Sequence, residues 1–476
     1  MEHHSLRRNS IGVVGIVFIV VAAASPFAAI IGNTPLGFAL GDGAGLPGAF
    51  VLSGILLACF ALGFTAMSPY VQNAAAFYAY IRAGLGRRAG QAAALVALLG
   101  YNALTAGLVG YMGYFGQSVF VDELNAHAPW ELYAFGSLAL CLVLGLSGID
   151  VGVKVLGLLL VLEGILIVAA ALVTFVTHAD PLVLTSFTPG AVMQGAPGVA
   201  LMFALLSYIG FEGTAIFAEE ARNPRKTIRR ATLVAISVIT AVYTLATLSA
   251  VAFYGVANVG RAASREPGTF YSAIVADALG PWSGHLVGML LLTSLFATLL
   301  AIHNMAARYF YGLARDGLLP RRLDRISDRG APVAACAVQA LVTALIVAAY
   351  ALGGQHPYLN LATTMFGLGT VAIVALQATT GISVIAFFLR RRDSSAGRLV
   401  TFVAPLIGSV GLAWTCSMVI SNFSTLTGTT SHLVNALPWL IVAVALAGAM
   451  LPGHPDDTAV SPDLTSNQHQ VDDLRT

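Results

Sequence analysis

Charged residues are scarce in this chain. Asp, Glu, Lys and Arg make up 10% of its 476 residues, and 57% are hydrophobic, whereas a soluble globular domain contains about 25% charged residues. This shortage excludes a soluble fold. The formal net charge of +2 also gives no reason to expect nucleic acid as a partner, because phosphate binding depends on clustered positive charge. We therefore predict an integral membrane protein that contacts the lipid bilayer.

The chain also has few residues of the kinds that build metal, disulfide or nucleotide sites. Its 4 cysteines lie in separate apolar segments, so neither a zinc site nor a disulfide framework is indicated. No Gly-Lys dipeptide is present, which excludes the phosphate loop of a nucleotide-driven pump. Of the 10 histidines, only His303 lies deep in an apolar segment, with no carboxylate at helical spacing beside it. We expect no cofactor, no metal and no enzymatic activity.

Long apolar segments are abundant. A transmembrane helix needs about 20 predominantly apolar residues, and twelve segments of suitable length and composition cover residues 11–40, 46–68, 89–120, 130–149, 152–177, 197–219, 231–256, 284–313, 332–353, 357–389, 399–421 and 434–452. The predicted fold class is an all-α integral membrane protein with twelve transmembrane helices. They form a domain from 11 to 452, between a short N-terminus (1–10) and a polar tail (453–476).

Basic residues indicate the orientation of these helices. If the N-terminus is cytoplasmic, all but two of the 24 Lys and Arg residues fall on the cytoplasmic side, the exceptions being Arg261 and Arg265. Cytoplasmic loops are enriched in Lys and Arg. We therefore expect a multi-pass protein of the cell (inner) membrane with both termini in the cytoplasm.

Helices 1 and 6 are predicted to be broken at mid-membrane. Pro26 lies in the middle of the first segment, and the sixth contains Gly210 and Gly213 around its centre. Proline removes a backbone hydrogen bond, glycine weakens a helix, and paired interruptions in corresponding helices point to a transporter binding site. The two helices correspond if the chain consists of two inverted five-helix repeats, about 11–177 and 197–389, followed by two further helices within 399–452.

Broken helices can bind a zwitterion without charged side chains. The helix half that starts near Ala28 directs amide groups and a positive dipole end toward a carboxylate, and carbonyls near Ser25 and Leu206 suit an ammonium group. The alternative is that Pro26 only kinks its helix and the glycines only permit close packing. Glu212 is a carboxylate within the sixth segment, and a charge in the hydrocarbon core indicates a functional site by default.

Four sequence strings resemble the amino acid-polyamine-organocation (APC) superfamily. They are Tyr208-Ile209-Gly210-Phe211-Glu212, Ala218-Glu219-Glu220-Ala221-Arg222-Asn223-Pro224-Arg225-Lys226, Ala314-Arg315-Asp316-Gly317-Leu318-Leu319-Pro320 and Ala75-Ala76-Phe77-Tyr78-Ala79-Tyr80. The resemblance implies the LeuT-like fold of two inverted five-helix repeats plus two helices. It also implies secondary transport of amino acids or related amines by alternating access, in which helices 1, 2, 6 and 7 rock against the others.

The resemblance also implies particular site residues. The main-chain substrate site would comprise Ser25, Pro26, Phe27, Ala28, Ala29, Ile30, Leu206, Ser207, Tyr208 and Ile209. Tyr208 would serve as a gate, Tyr101 and Asn102 would form the far wall, and Glu212 would link protonation to opening or, alternatively, stabilise the unwound turn.

Two coupling ions are considered. Some proton-coupled members carry a lysine in helix 5, and the matching position here is Glu163; a buried carboxyl group can load and release a proton. Sodium is the alternative, with hydroxyl ligands from Thr293, Ser294 or Thr298, although hydroxyls in membrane helices usually bond their own backbone. The resulting prediction is a proton-coupled amino acid permease. An amine or polyamine permease, an amino acid exchanger, and a transporter-like sensor or channel are the alternatives.

Overall fold

The computed structural model describes residues 12–71, 76–125, 127–147, 153–178, 181–212, 224–327, 331–391 and 397–451. Within these ranges the chain forms helices and connecting turns and contains no β-strand. The termini, Gly213 and the segment that contains Glu219 and Glu220 lie outside the described residues.

The described residues of the first half of the chain form nine α-helices. They are α1 (Val13–Ala24), α2 (Pro26–Leu40), α3 (Leu46–Met67), α4 (Ala76–Leu85), α5 (Arg87–Leu124), α6 (Trp130–Ser147), α7 (Val153–Thr177), α8 (Pro189–Val192) and α9 (Pro197–Leu206). Two 3-10 turns, Gly43–Gly45 and Pro181–Phe187, connect helices in this half.

In the second half, the part of the chain that the structure describes forms ten α-helices. They are α10 (Pro224–Tyr254), α11 (Val259–Arg265), α12 (Phe270–Leu279), α13 (Ser283–Arg315), α14 (Val333–Leu352), α15 (Thr363–Arg390), α16 (Ala404–Ser421), α17 (Phe423–Thr427), α18 (His432–Asn435) and α19 (Leu437–Met450). A 3-10 turn, Arg321–Asp324, follows α13, and short π-helical turns, Pro357–Ala362 and Leu399–Val403, lead into α15 and α16.

Nine helical segments of the described chain are long and apolar enough to cross a membrane. Each coincides with one of the twelve predicted spans. The remaining three predicted spans contain shorter helices: the first is divided between α1 and α2, the sixth contains the 10 residues of α9, and the twelfth contains the 14 residues of α19. A helix of 14 residues is only about 21 Å long, less than the roughly 30 Å of the hydrocarbon core.

Helix α5 lies at the centre of the molecule. It packs against α4, α6, α13, α15 and α19. In its most apolar stretch of 18 residues, 83% of the residues are buried inside the protein. Its glycines allow this close packing, because a Cβ at Gly107 would lie 2.5 Å from the ring of Phe366, and a Cβ at Gly110 would lie 2.8 Å from the carbonyl oxygen of Pro357. Small residues at membrane helix interfaces let backbones approach closely.

A second group of helices packs around α3 and α10. Helix α3 contacts α9, α10 and α16, and α10 contacts α1 and α7. The short helices α2 and α9 also contact each other. The space between this second group and α5, α13 and α15 is where the candidate site lies.

Candidate functional site

The junction between α1 and α2 is a single residue in a left-handed conformation. Helix α1 ends at Ala24, α2 begins at Pro26, and Ser25 between them has φ 44° and ψ 69°. Proline favours the first position of a helix, and the residue before a proline is disfavoured in the right-handed helical region. The Ser25 amide still donates to the carbonyl of Val21, and the Ala29 amide donates to the carbonyl of Ser25. The helix axis is therefore interrupted without loss of these two backbone hydrogen bonds.

The end of α9 unwinds into a series of tight turns. After Leu206, the amides of Tyr208 and Ile209 donate to the carbonyls of the residues three positions earlier, at 3.0 and 3.1 Å. Gly210 then adopts φ 117°, a conformation that L side chains rarely take. The glycine is required because the chain must leave the helical path at this point.

Glu212 closes the turn that follows. Its carboxylate accepts the amide hydrogen of Gly210 at 2.9 Å and the hydroxyl hydrogen of Tyr101 at 3.1 Å, and the residue is 4% exposed. Each carboxylate oxygen therefore has one protein donor. Glu212 joins the unwound end of α9 to α5.

A cavity of about 460 Å³, including the part open to solvent, lies between the α1–α2 junction, the end of α9, and helices α5, α13 and α15. The lining residues are Ala24, Ser25, Ala28, Ala29, Asn33, Leu104, Leu108, Tyr111, Leu206, Ser207, Ile209, Leu295, Thr298, Ile302 and Phe366.

Half of the residues predicted for the substrate site line this cavity. They are Ser25, Ala28, Ala29, Leu206, Ser207 and Ile209. The others do not line it: they are Pro26, Phe27, Ile30, Tyr101, Asn102 and Tyr208. Pro26, Phe27 and Ile30 are buried on α2, and Asn102 donates a hydrogen bond to the carbonyl of Leu98 in its own helix.

Tyr208 is fully buried against two neighbouring helices. Its hydroxyl donates toward the carbonyl oxygen of Phe50 on α3, at 3.0 Å, and the hydroxyl of Thr240 on α10, at 2.8 Å. It thus holds the end of α9 to α3 and α10. Its predicted role as a gate remains a prediction.

Several lining residues were missed by sequence reasoning. Asn33 donates to the hydroxyl of Ser207 at 3.1 Å and thereby joins α2 to α9, and the hydroxyl of Tyr111 on α5 lies 3.0 Å from its side-chain oxygen. A lone amide in an apolar segment could have identified Asn33. The leucines of α5 and Phe366 had no such signal, because apolar side chains that face a cavity and those that face lipid look alike in sequence.

Glu163 lies behind the α1–α2 junction. The hydroxyl of Ser294 on α13 donates to its carboxylate at 3.1 Å and lies 2.5 Å from the hydroxyl of Ser25. Glu163 is 4% exposed and does not line the cavity. The three side chains form a hydrogen-bonded row from α7 through α13 to the cavity wall.

The remaining hydroxyls predicted as sodium ligands bond to their own helix. Thr298 donates to the carbonyl of Ser294 at 2.9 Å, and Thr293 donates to the carbonyl of Leu290 at 2.9 Å. Thr293 is also exposed on the outer surface of α13. The third, Ser294, is hydrogen-bonded to Ser25 at the α1–α2 junction.

The described part of the chain contains no cluster of three or more His, Cys, Asp and Glu side chains that could hold a metal ion. His303 is fully buried, and neither of its ring nitrogens has a hydrogen-bond partner. It does not line the cavity.

Known proteins resemble this chain over most of its length. The chain is 25% identical over 426 residues to the branched-chain amino acid permease BcaP of Bacillus subtilis, covering 85% of both proteins. It is 26% identical over 404 residues to an uncharacterized transporter of Mycobacterium tuberculosis, covering 77% of this chain and 79% of the relative. With the L-lysine transport protein of Corynebacterium glutamicum it shares 24% identity over 326 residues, covering 66% of this chain and 62% of the relative.

The fold is similar to that of a solved transporter. The crystal structure of the Eremococcus coleocola manganese transporter in complex with an aromatic bis-isothiourea substituted compound superposes with a TM-score of 0.56 at 13% sequence identity, covering 93% of this chain and 95% of the other. At this identity the likeness concerns the fold alone.

A family model described as "Amino acid permease" matches residues 9–446, nearly the whole chain. The chain therefore belongs to the amino acid permease family of the APC superfamily, whose members are membrane transporters and not enzymes.

Proposed function

We propose that this protein moves an amino acid across the cell membrane by alternating access, together with a proton. The observation that carries the proposal is the cavity bounded by two helix interruptions, the α1–α2 junction and the end of α9. Residues of both interruptions line the same space.

The substrate backbone matches the main-chain groups of these interruptions. The first turn of a helix has amide groups without intrahelical acceptors and carries the positive end of the dipole, and the first turn of α2 includes the cavity-lining Ala28. A carboxylate is therefore favoured at this end. Carbonyl oxygens around the unwound end of α9 suit the ammonium group. Both substrate charges are bound without a charged side chain.

The relatives support an amino acid as the substrate. One is named a branched-chain amino acid permease and another an L-lysine transport protein. A polyamine or simple amine lacks the carboxylate that the start of α2 favours. Neither Glu163 nor Glu212 lines the cavity, which favours an amino acid over the amine alternative.

Glu163 is the proposed proton carrier. A proton can pass between the cavity and its carboxylate along the hydroxyls of Ser25 and Ser294, because adjacent members of this row lie 2.5 and 3.1 Å apart. Glu212 is assigned a different role, since both of its oxygens already accept hydrogen bonds that hold the turn after α9. Sodium is disfavoured because the hydroxyls of Thr293 and Thr298 bond to their own helix.

Contacts of α2 suggest how alternating access proceeds. The hydroxyls of Tyr111 on α5 and Tyr358, just before α15, both donate to the carbonyl oxygen of Gly32, at 2.9 and 2.8 Å. If the N-terminus is cytoplasmic, α2 forms the outer half of the first of twelve transmembrane spans. These spans are arranged as two inverted five-helix repeats plus two further helices. Outward opening would then separate Gly32 from both tyrosines.

Proteoliposomes test the proposal. Purified protein should accumulate at least one amino acid when the outside is acidic, and should do so without sodium. A gradient of one pH unit can drive about tenfold accumulation with one proton per substrate, because one unit corresponds to about 1.4 kcal/mol. The Glu163→Gln variant should lose this accumulation but retain exchange of labelled for unlabelled substrate.

The control for this variant is Glu266→Gln, which makes the same chemical change at an exposed position. It should accumulate substrate as the unaltered protein does. If the Glu163→Gln variant still accumulates substrate in response to a pH gradient, the proton is not carried by this carboxyl group. If the protein binds substrate but transports none, the transporter proposal is refuted.

A further inference from the structure

The polar side chains that line the cavity are already hydrogen-bonded within the protein. Ser25 is bonded to Ser294, Asn33 to Ser207, and Thr298 to the carbonyl of Ser294. The hydroxyls of Ser207 and Tyr111 donate to the carbonyls of Phe203 and Gly32. These groups connect helices to each other, so a polar substrate side chain would have to compete with existing bonds.

The wall opposite the helix interruptions is apolar. Its lining residues are Leu104 and Leu108 on α5, Leu295 and Ile302 on α13, and Phe366 on α15. The ring of Phe366 lies in close contact with Gly107. It also packs edge-on against the ring of Tyr111, and the centroids of these two rings are 4.8 Å apart. The aromatic part of this wall is therefore held in position before any substrate arrives.

Among the residues that the structure describes, no charged side chain lines the cavity. Transfer of a charged group into an apolar site is costly unless an opposite charge or several hydrogen bonds accompany it. The buried carboxylates of Glu163 and Glu212 do not line the cavity, and they accept hydrogen bonds from Ser294 and from Gly210 and Tyr101, respectively. A lysine, arginine or glutamate side chain would thus find no partner against the apolar wall.

We infer that the substrate is a neutral amino acid with an aliphatic side chain, of the leucine, isoleucine and valine type. Its charged backbone lies at the helix interruptions, and its side chain packs against the leucine, isoleucine and phenylalanine wall. This inference rests on the proposed function, since it names the substrate class of the same cavity.

Uptake measurements on the full-length protein in proteoliposomes test the inference. Labelled leucine, isoleucine, valine, alanine, lysine, arginine, glutamate and putrescine are compared under the same acid-outside gradient. Leucine should be taken up at half-saturating concentrations at least about tenfold lower than alanine, because each buried methylene contributes roughly a fourfold gain in affinity. Lysine, arginine, glutamate and putrescine should give no specific uptake.

Two substitutions at Leu108 test the wall itself. Leu108→Ala should weaken leucine uptake about tenfold or more while changing alanine uptake less, because the lost contact is with the substrate side chain. Leu108→Asp should weaken leucine uptake further. The control is Leu341→Ala on α14, where the side chain is 58% exposed at the outer surface and no change in substrate preference is expected. If neither Leu108 variant folds, Ile302→Val provides the same comparison with a smaller effect.

The possible failures are distinguishable. Transport of lysine, glutamate or putrescine at concentrations equal to or below those for leucine overturns the inference but leaves the transporter proposal intact. Equal losses of leucine and alanine uptake in Leu108→Ala also overturn it. Absence of transport for every compound defeats the proposed function itself.

Discussion

Glu163 and Glu212 are both buried carboxyl groups in apolar segments, but their neighbours differ. Glu212 accepts two hydrogen bonds that fix the turn after α9. Glu163 accepts one from Ser294, whose hydroxyl also contacts Ser25 at the cavity wall. The sequence identified Glu212 by its apolar surroundings and Glu163 by its match to the position of a helix 5 lysine in some proton-coupled APC members. It could not separate their roles, because those depend on residues from distant helices.

Asp42 is a third buried carboxyl group, and sequence reasoning missed it. It lies between the end of α2 and the start of α3, is 4% exposed, and neither carboxylate oxygen has a hydrogen-bond partner. Burial raises the pKa of Asp42 from its ordinary value of 3.8 to about 8. Burial therefore favours the neutral, protonated form of Asp42.

Stability should consequently depend on pH through Asp42. When the folded state raises the pKa of an acid, the folded state binds the proton more tightly than the unfolded state, so stability falls as pH rises from about 4 to about 8. The Asp42→Asn variant keeps a neutral side chain of similar shape and should lose this dependence. Its melting temperature should exceed that of the unaltered protein by a few degrees at pH 8.5, and the difference should shrink steadily as the pH falls toward 5.

Thermal unfolding in detergent from pH 5 to pH 9 provides the measurement. Glu266→Gln, which alters an exposed carboxyl group, should keep the slope of the unaltered protein. Parallel curves for Asp42→Asn and the unaltered protein would show that this carboxyl group is ionised in the folded state.

At the scale of elements, the short helices on either side of the cavity matter most. Pro26 and Gly210 mark the positions where α2 begins and where the turn after α9 reverses its backbone conformation. Local sequence could locate both positions because proline and glycine act on their own backbone. The packing that orients α2 and α9 comes from residues far away in the chain.

Helix α9 is held against α16 by a glycine without space for a side chain. A Cβ at Gly198 would lie 2.2 Å from the carbonyl oxygen of Met418, so Gly198→Ala must displace the backbone of one helix. We expect a loss of about 1–3 kcal/mol in the free energy of unfolding, as is typical of overpacking, and a weaker substrate affinity because α9 lines the cavity.

Gly164→Ala on α7 is the matched control, because a Cβ there would meet nothing within 4 Å. It should be neutral or stabilising by up to about 1 kcal/mol, since alanine favours a helix over glycine. Melting temperature and substrate affinity are measured for both variants. If the Gly198→Ala and Gly164→Ala variants are equally stable, α16 can move to make room for the methyl group without a loss of stability.

At the scale of the whole molecule, the distribution of basic residues predicts the orientation. The exposed Ser264 on α11 lies in the loop between α10 and α13, which is predicted to be outside, and Arg321 follows α13 on the predicted cytoplasmic side. In a protein without its native cysteines, Ser264→Cys should react with a membrane-impermeant maleimide in intact cells. Arg321→Cys should react only after permeabilisation. The reverse pattern would contradict a cytoplasmic N-terminus.

The sequence by itself determined that this chain is a helical membrane protein of the amino acid permease family, and it indicated where two helices are interrupted. These properties follow from local features: the length of apolar runs, the positions of proline and glycine, and short motifs. The tertiary structure alone decided which of the predicted residues line the cavity and which other side chains complete it. Ser25 and Ser294 are 269 positions apart, and Ser294 and Glu163 are 131 positions apart. Leu108 and Phe366 face the cavity only because α5 and α15 pack across a glycine. The sequence does not distinguish an apolar residue that faces lipid from one that faces the cavity. Only the packing of distant helices could therefore assign these residues to the site.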